Sequence, residues 1–352
     1  MTTQTGTLDI ASLKAARFQS VAEYGLDTIQ TILENDVAAH NEAVNLMMND
    51  MCEVTTDRQR LYGTSANGEM VEVDEYGRSV TQKPLTGATV GFPLKLFQYA
   101  IGWTEKWMQV HTPAEMVEQV IGAQNAHLRA IQREIKKAIY LSANYTHRDH
   151  LVDNVDLAIK RFVNADSADI PNGPNGEAFD GATHTHYVGE ASLTANFLKA
   201  IINDVIEHGH GGAVKVAIGK TDETAVRALT GFVAYVDPRI IYRATDTPGQ
   251  TLDISRLDNR AIGIFEGAEI WVKSWAIANY VYVWDSASAN KPLAFRQRIQ
   301  TTLQGLHLAA KNSAYPLTAD YYEAEYGISV WTRTNGAILY FANATYADPT
   351  IT

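Results

Sequence analysis

A single cysteine, Cys52, stands in a chain of 352 residues. Intramolecular disulfides are therefore excluded, as is a thiolate metal cluster within one chain, and a reducing cytoplasm is the expected setting. Long apolar runs are missing too. None approaches the roughly 20 residues that a membrane helix needs, and the start, MTTQTGTLDIASLKAARF, has no continuous apolar segment of the kind that directs secretion. Positive charge is scarce. With 29 Lys plus Arg against 40 Asp plus Glu, the formal charge is -11, so the whole-molecule field repels nucleic acid and any contact with DNA has to be local. Catalytic signatures are lacking as well, since no Ser-His-Asp arrangement, nucleophile elbow or dinucleotide fingerprint is found.

What is present is folding material. Apolar residues make up 46% and charged residues 20%, enough for a large core in two domains or in one domain with long excursions. Residues 1–60 read as an N-terminal helical arm. Leu26, Ile29, Ile32, Leu33, Val37, Val44, Met47 and Met48 recur at helical spacing, and Gly25 breaks the arm into two helices. Such a stripe needs a partner, either its own chain or a neighbour. Residues 61–92 change character: Met70 to Val73 alternate, turn at Glu75-Tyr76-Gly77 and continue into Arg78, Ser79 and Val80. That pattern predicts a long polar β-hairpin with few core residues, which is marginal alone and should lie against something outside its own domain.

Thr112-Pro113-Ala114-Glu115 is a capping box with proline at the first helical position, and it opens a spine helix over 113–142. At 1.5 Å per residue such a helix is about 45 Å long. Beyond a loop rich in Asp, Asn, Gly and Pro, the pattern gives a helix over 193–208, a strand over 213–218, a helix over 221–231 and strands near 261–265, 268–275 and 279–284. Near the end, Asn335-Gly336 sits between two apolar-aromatic runs, a hairpin signal.

Several motifs invite chemistry. HRDHLVDN, His147 to Asn154, matches the catalytic-loop pattern of protein kinases, yet no glycine-rich loop or lysine strand precedes it and no DFG or APE follows. It reads as a polar loop. Gly219-Lys220-Thr221 stands where the end of a phosphate-binding loop would, but Val214 replaces the first glycine, and a tight turn with a helix cap is expected instead. Trp271, Trp275, Tyr280, Tyr282 and Trp284 fall on two strands read as adjacent, suited to core and interface packing rather than to a stacking platform for bases. His184 and His186 alternate onto one face, and His208 and His210 follow a helix; these four are the candidate metal ligands. EHGHGG also suits a helix C-terminus, where imidazole near the last carbonyls and glycine in the left-handed cap are favourable. No HExxH-like carboxylate pattern accompanies the pairs, so the scaffold reading is preferred, with no metal and no cofactor expected.

In this order the elements resemble the major capsid proteins of tailed bacteriophages, with their α+β, HK-ninety-seven-like fold. GFPLKLFQYAIGWTEKWMQVHTPAEMVEQVIGAQNAHLRAIQREIKKAIY resembles the stretch where the extended loop returns and the spine helix begins. YGISVWTRTNGAILYFANATYADPTI is similar to the closing segment of the peripheral domain, and THTHYVG with EHGHGG resembles the start of the axial domain. The resemblance implies a peripheral domain over 93–182 and 286–352, an axial domain over 183–285, and a non-enzymatic subunit that assembles with itself as hexamers and pentamers around packaged double-stranded DNA. Portal and scaffolding or decoration proteins are the implied partners; a membrane is not. Val71, Val73, Tyr76, Arg78, Val80 and Lys83 become the candidate inter-subunit contacts. With about 60 residues ahead of the loop, no scaffolding segment is expected in the chain; a separate scaffolding protein, or none, is. An encapsulin-type compartment shares the fold and is the alternative, followed by a histidine-metal enzyme.

Overall fold

Thr112 starts the longest helix as its sequence dictates: its backbone N–H donates to Glu115 Oε2 at 2.8 Å, Pro113 occupies the first turn, and the helix runs Pro113–Tyr140. In the computed structural model, which describes residues 10–16, 18–62, 70–81, 88–235 and 259–351, this spine is the element around which the first lobe is built. Met116, Val117, Val120, Ala123, Ile131, Ile135, Ala138 and Ile139 line its buried side. The arm supplies the partner. Its helices, Ile10–Ala15, Val21–Tyr24 and Leu26–Met48, are divided at Gly25, whose φ of 100° a side chain would resist, and Ile29, Ile32, Leu33, Val37, Val44 and Met48 join the spine in one core. Polar pairs fix the register, with Gln124 Nε2 donating to Asp36 at 2.5 Å and His40 Nε2 lying 3.0 Å from His127 Nδ1. Apart from Met47, which stays exposed, the arm's stripe is thus satisfied within its own chain.

A five-stranded sheet lies against the spine. Its long strand, Leu317–Val330, runs antiparallel to Lys95–Thr104 and also pairs with His307–Ala314 in its first half and Leu293–Gln297 in its second; Cys52–Thr55 then adds in parallel beside Leu293–Gln297. The second lobe is a seven-stranded sheet in the order Tyr187–Gly189, Ala337–Tyr340, Tyr280–Asp285, Val214–Ile218, Ala268–Lys273, Asn259–Phe265, Val233–Ala234. Alternation along its strands divides its two faces. Val281 and Val283 face the helix Ala195–Ile206, packing with Leu198, Ile201, Ile202 and Val205. Tyr280, Tyr282 and Trp284 face the other way into the first lobe's core, where Tyr280 meets Tyr140 at the end of the spine with ring centroids 5.4 Å apart. Among the described residues, no helix is long and apolar enough to cross a membrane.

Three expectations are corrected. Asn335-Gly336 is not a hairpin turn: Leu317–Val330 and Ala337–Tyr340 belong to different sheets. Asn335 is buried so that its amide can bridge, donating from Nδ2 to the carbonyls of Asp285 and Asn290 while Oδ1 accepts from the Asp285 N–H. Gly336 is required because a Cβ there would come within 2.3 Å of the Phe162 ring. As a result Ala337–Tyr340, expected in the 286–352 portion of the peripheral domain, is a strand of the seven-stranded sheet. Second, the tryptophan and tyrosine strands are not adjacent, because Val214–Ile218 runs between Ala268–Lys273 and Tyr280–Asp285; Tyr282 and Trp284 are fully buried. Third, residues 70–81 hold no strand. Among the described residues of the expected hairpin, only its base pairs, Gln59–Leu61 with Thr89–Gly91.

The link back into the last strand is tied by Arg333, 1% exposed, which donates to the Arg161 carbonyl at 2.7 Å, to Asn164 at 2.8 Å and to Asp166 Oδ1 at 3.0 Å. Burial by itself would raise the Asp166 pKa, but the hydrogen bond from Lys160 and the charge of Arg333 outweigh it and bring it from 3.8 down to about 2. A depressed carboxylate gives stability that is fully present above its unfolded pKa and is lost as pH falls through the folded one. Between roughly pH 5 and pH 2, Asp166→Asn should therefore lose about 2 kcal/mol less stability than the wild type, read from urea unfolding across that range.

Candidate functional site

The loop at 61–92 has a tight root and a bare tip. At the root, Arg58 forks onto Asp153 with contacts of 2.7 and 2.8 Å, and Arg60 pairs with Glu53 at 2.8 Å and Asp57 at 2.6 Å while lying 5.0 Å over the Trp331 ring. Tyr62, Val90 and Phe92 form a small core there with Ala294. Arg296 fastens the root from beneath, donating to the Phe92 carbonyl at 2.7 Å and to Asp149 Oδ2 at 2.9 Å. Asp149 is fully buried, so the kinase-like HRDH segment is a structural anchor here.

Beyond the root the side chains lose their cover. The chain turns where expected: the Asp74 carboxylate accepts from Tyr76 N at 3.0 Å and its carbonyl accepts from Gly77 N at 3.0 Å. Tyr76 is 90% exposed and Val80 84%, and Met70, Val71, Val73 and Arg78 are exposed beside them. Lys83 lies outside the described residues. Apolar side chains gathered on one projection with no private core are what a contact surface presents before its partner arrives.

The second cluster forms where the seven-stranded sheet meets the end of its helix. His184 and His186 precede the strand Tyr187–Gly189, and His208 follows the helix Ala195–Ile206, whose end is closed by Gly209 at φ 84° with its N–H on the Ile206 carbonyl. Their Nε2 atoms form a triangle: 3.2 Å between His184 and His186, 3.0 Å between His184 and His208, 3.1 Å between His186 and His208. Glu207 brings Oε1 to 3.4 Å from His184 Nε2 and 3.8 Å from that of His208. The fourth expected member is elsewhere, since His210 Nε2 lies 3.0 Å from the Thr334 hydroxyl. Glu207 was missed because only its neighbours were histidines; its position next to His208 was the available signal. Burial is the main force keeping these imidazoles neutral, bringing His208 down to about 3 and lowering His186 well below its usual value, with the neighbouring histidines adding to both. Gly219-Lys220-Thr221 forms the expected turn into a short helix, with Gly219 as its cap.

No family model matches the sequence, and no curated protein matches it either. Solved structures do. A chain from Mycobacterium phage Patience superposes with a TM-score of 0.67 at 18% identity, covering 99% of this chain and 96% of that one. The capsid of the native GTA particle gives 0.49 at 16% identity, over 84% of this chain and 89% of that chain. The holo-SrpI encapsulin complex from Synechococcus elongatus PCC 7942 gives 0.44 at 9% identity, over 88% and 90%. This chain shares its α+β fold with the chain from Mycobacterium phage Patience.

Proposed function

We propose that the chain is the major capsid protein of a tailed bacteriophage, a non-enzymatic subunit that closes as hexamers and pentamers into an icosahedral shell around double-stranded DNA. One observation carries the reading: Val71, Val73, Tyr76 and Val80 are exposed together on one short segment of a loop whose root is anchored by Arg296. In a shell this projection lies over the neighbouring subunit, with Arg78 beside it and Lys83 further along the same loop. The lobe of the spine and the five-stranded sheet is assigned to the peripheral domain and the seven-stranded sheet to the axial domain. A net charge of -11 suits a container whose wall must release the DNA it encloses. Self-association is the primary partnership; portal and scaffolding or decoration proteins would complete a virion assembled in the host cytoplasm.

The direct test is assembly. The untagged chain, expressed alone and with its phage's scaffolding protein, should give closed shells or rings of five and six subunits in electron micrographs, with matching masses by native mass spectrometry. A chain that remains a monomer in both preparations would end the proposal.

A further inference from the structure

The geometry points to a divalent transition-metal site formed by His184, His186, His208 and Glu207, with zinc as the reference ion. Its ligand atoms all lie within 4.8 Å of one another. Around a tetrahedral zinc with bonds of about 2.0–2.1 Å, neighbouring nitrogens stand roughly 3.3–3.4 Å apart, and the three Nε2 separations here are 3.0 to 3.2 Å. A small outward adjustment seats the ion.

Hydrogen bonding cannot account for the same triangle. His186 Nδ1 lies 2.7 Å from the Gly336 carbonyl, an acceptor only, so the proton of the neutral ring is on Nδ1 and Nε2 offers a lone pair. That leaves His184 and His208 to supply protons for three contacts. If both carry a proton on Nε2, each can donate to His186, but they then meet each other at 3.0 Å as two donors. If either carries it on Nδ1, a pair of opposed lone pairs remains. No assignment of neutral tautomers satisfies all three contacts, whereas one cation accepts all three lone pairs. The Gly336 carbonyl on the far nitrogen of His186 is the outer-shell partner that metal-bound histidines commonly have, fixing tautomer and ring orientation.

The surroundings indicate a structural rather than a catalytic ion. Four protein ligands complete a tetrahedron and leave no position for substrate. Phe179 covers the group, with its ring centroid 4.1 Å from that of His208 and 5.0 Å from that of His184. His186 and His208 are buried while His184 and Glu207 reach solvent, giving the ion a way in. When bound, it staples the segment entering Tyr187–Gly189 to the end of the helix Ala195–Ile206, and through Gly336 to the entry of the last strand.

The experiment uses untagged full-length protein, stripped with chelator and titrated with Zn2+ by calorimetry, with metal content measured by mass spectrometry after dialysis. One Zn2+ per chain is expected. His184→Ala, at the exposed edge of the cluster, and His208→Ala should weaken binding by more than the roughly 10–100-fold typical of outer-shell changes, and Glu207→Gln, which keeps its shape, by at least about 10-fold. His210→Ala should bind like the wild type. Circular dichroism checks the fold of each variant, and Glu207→Gln keeps the test valid if a histidine variant fails to fold. Less than about one tenth of an equivalent in the wild type would overturn the assignment. So would full binding by Glu207→Gln and His184→Ala, or a loss in His210→Ala equal to that in His208→Ala. None of these readouts depends on shell formation.

Discussion

Replacing residues 70–81 with a short Gly-Ser linker should give a subunit that unfolds at the wild-type midpoint and forms no shells. Two parts of the structure lead to this result. Within the chain, the segment from Met70 to Thr81 adds no strand and buries none of its apolar side chains, so its removal should change folding stability by no more than about 0.5 kcal/mol. Between subunits the balance reverses, because Tyr76 and Val80 have most of their burial still to gain and Val71 and Val73 about half. A fully covered side chain of this size contributes about 1.5–3 kcal/mol, and each 1.4 kcal/mol changes an association constant about tenfold. Losing several such contacts at every interface should take assembly below detection. Tyr76→Ala, which removes the most exposed aromatic of the group, should raise the concentration needed for assembly without abolishing it. Light scattering and electron microscopy measure assembly, and urea unfolding measures the subunit. Shells of normal yield from the linker variant would remove the loop from the assembly interface and with it the observation on which the capsid reading rests.

How far the sequence reached can be judged residue by residue. Local rules were legible because they act over a few positions: the Thr112 to Glu115 box opened the spine, and Gly25 divided the arm. Element order carried the α+β fold. Long-range partnerships were not legible. Asn335-Gly336 has the composition of a hairpin turn, but its amide is spent on carbonyls 45 and 50 residues away, and its glycine on a ring from residue 162. The histidines posed a similar problem. Alternation brought His184 and His186 together, but the choice of His208 over His210 depends on where the helix Ala195–Ile206 ends against the sheet, which spacing alone does not determine. In the loop, period-two patterning suggested strands, yet a two-stranded ribbon without a packed face has too little to bury, and among the described residues only its base pairs.

Asp149 is the sharpest case of a residue whose role lies far along the chain, and its substitution should have the largest effect on the subunit itself. Its partner Arg296 is 147 residues away; the two meet at 2.9 Å with side-chain exposures of 0% and 5%, and the same guanidinium holds the Phe92 carbonyl at the loop root. Burying such a pair is itself costly, the more so because Asp149 Oδ1 accepts no hydrogen bond among the described residues. Removing only one partner is costlier still, because it leaves an uncompensated charge in the interior. Asp149→Ala should therefore destabilise the subunit by about 3–5 kcal/mol, seen as a lower urea midpoint with an unchanged slope. The double replacement Asp149→Leu with Arg296→Met removes both charges together and should recover much of that loss, whereas independent sites would only add their costs. The two strands at the loop root depend on the same anchor, so protection from hydrogen exchange at Gln59–Leu61 and Thr89–Gly91 should fall first in Asp149→Ala. A loss under about 1 kcal/mol would place Asp149 among ordinary surface substitutions, and the root would then owe its order to the small core of Tyr62, Val90 and Phe92 instead.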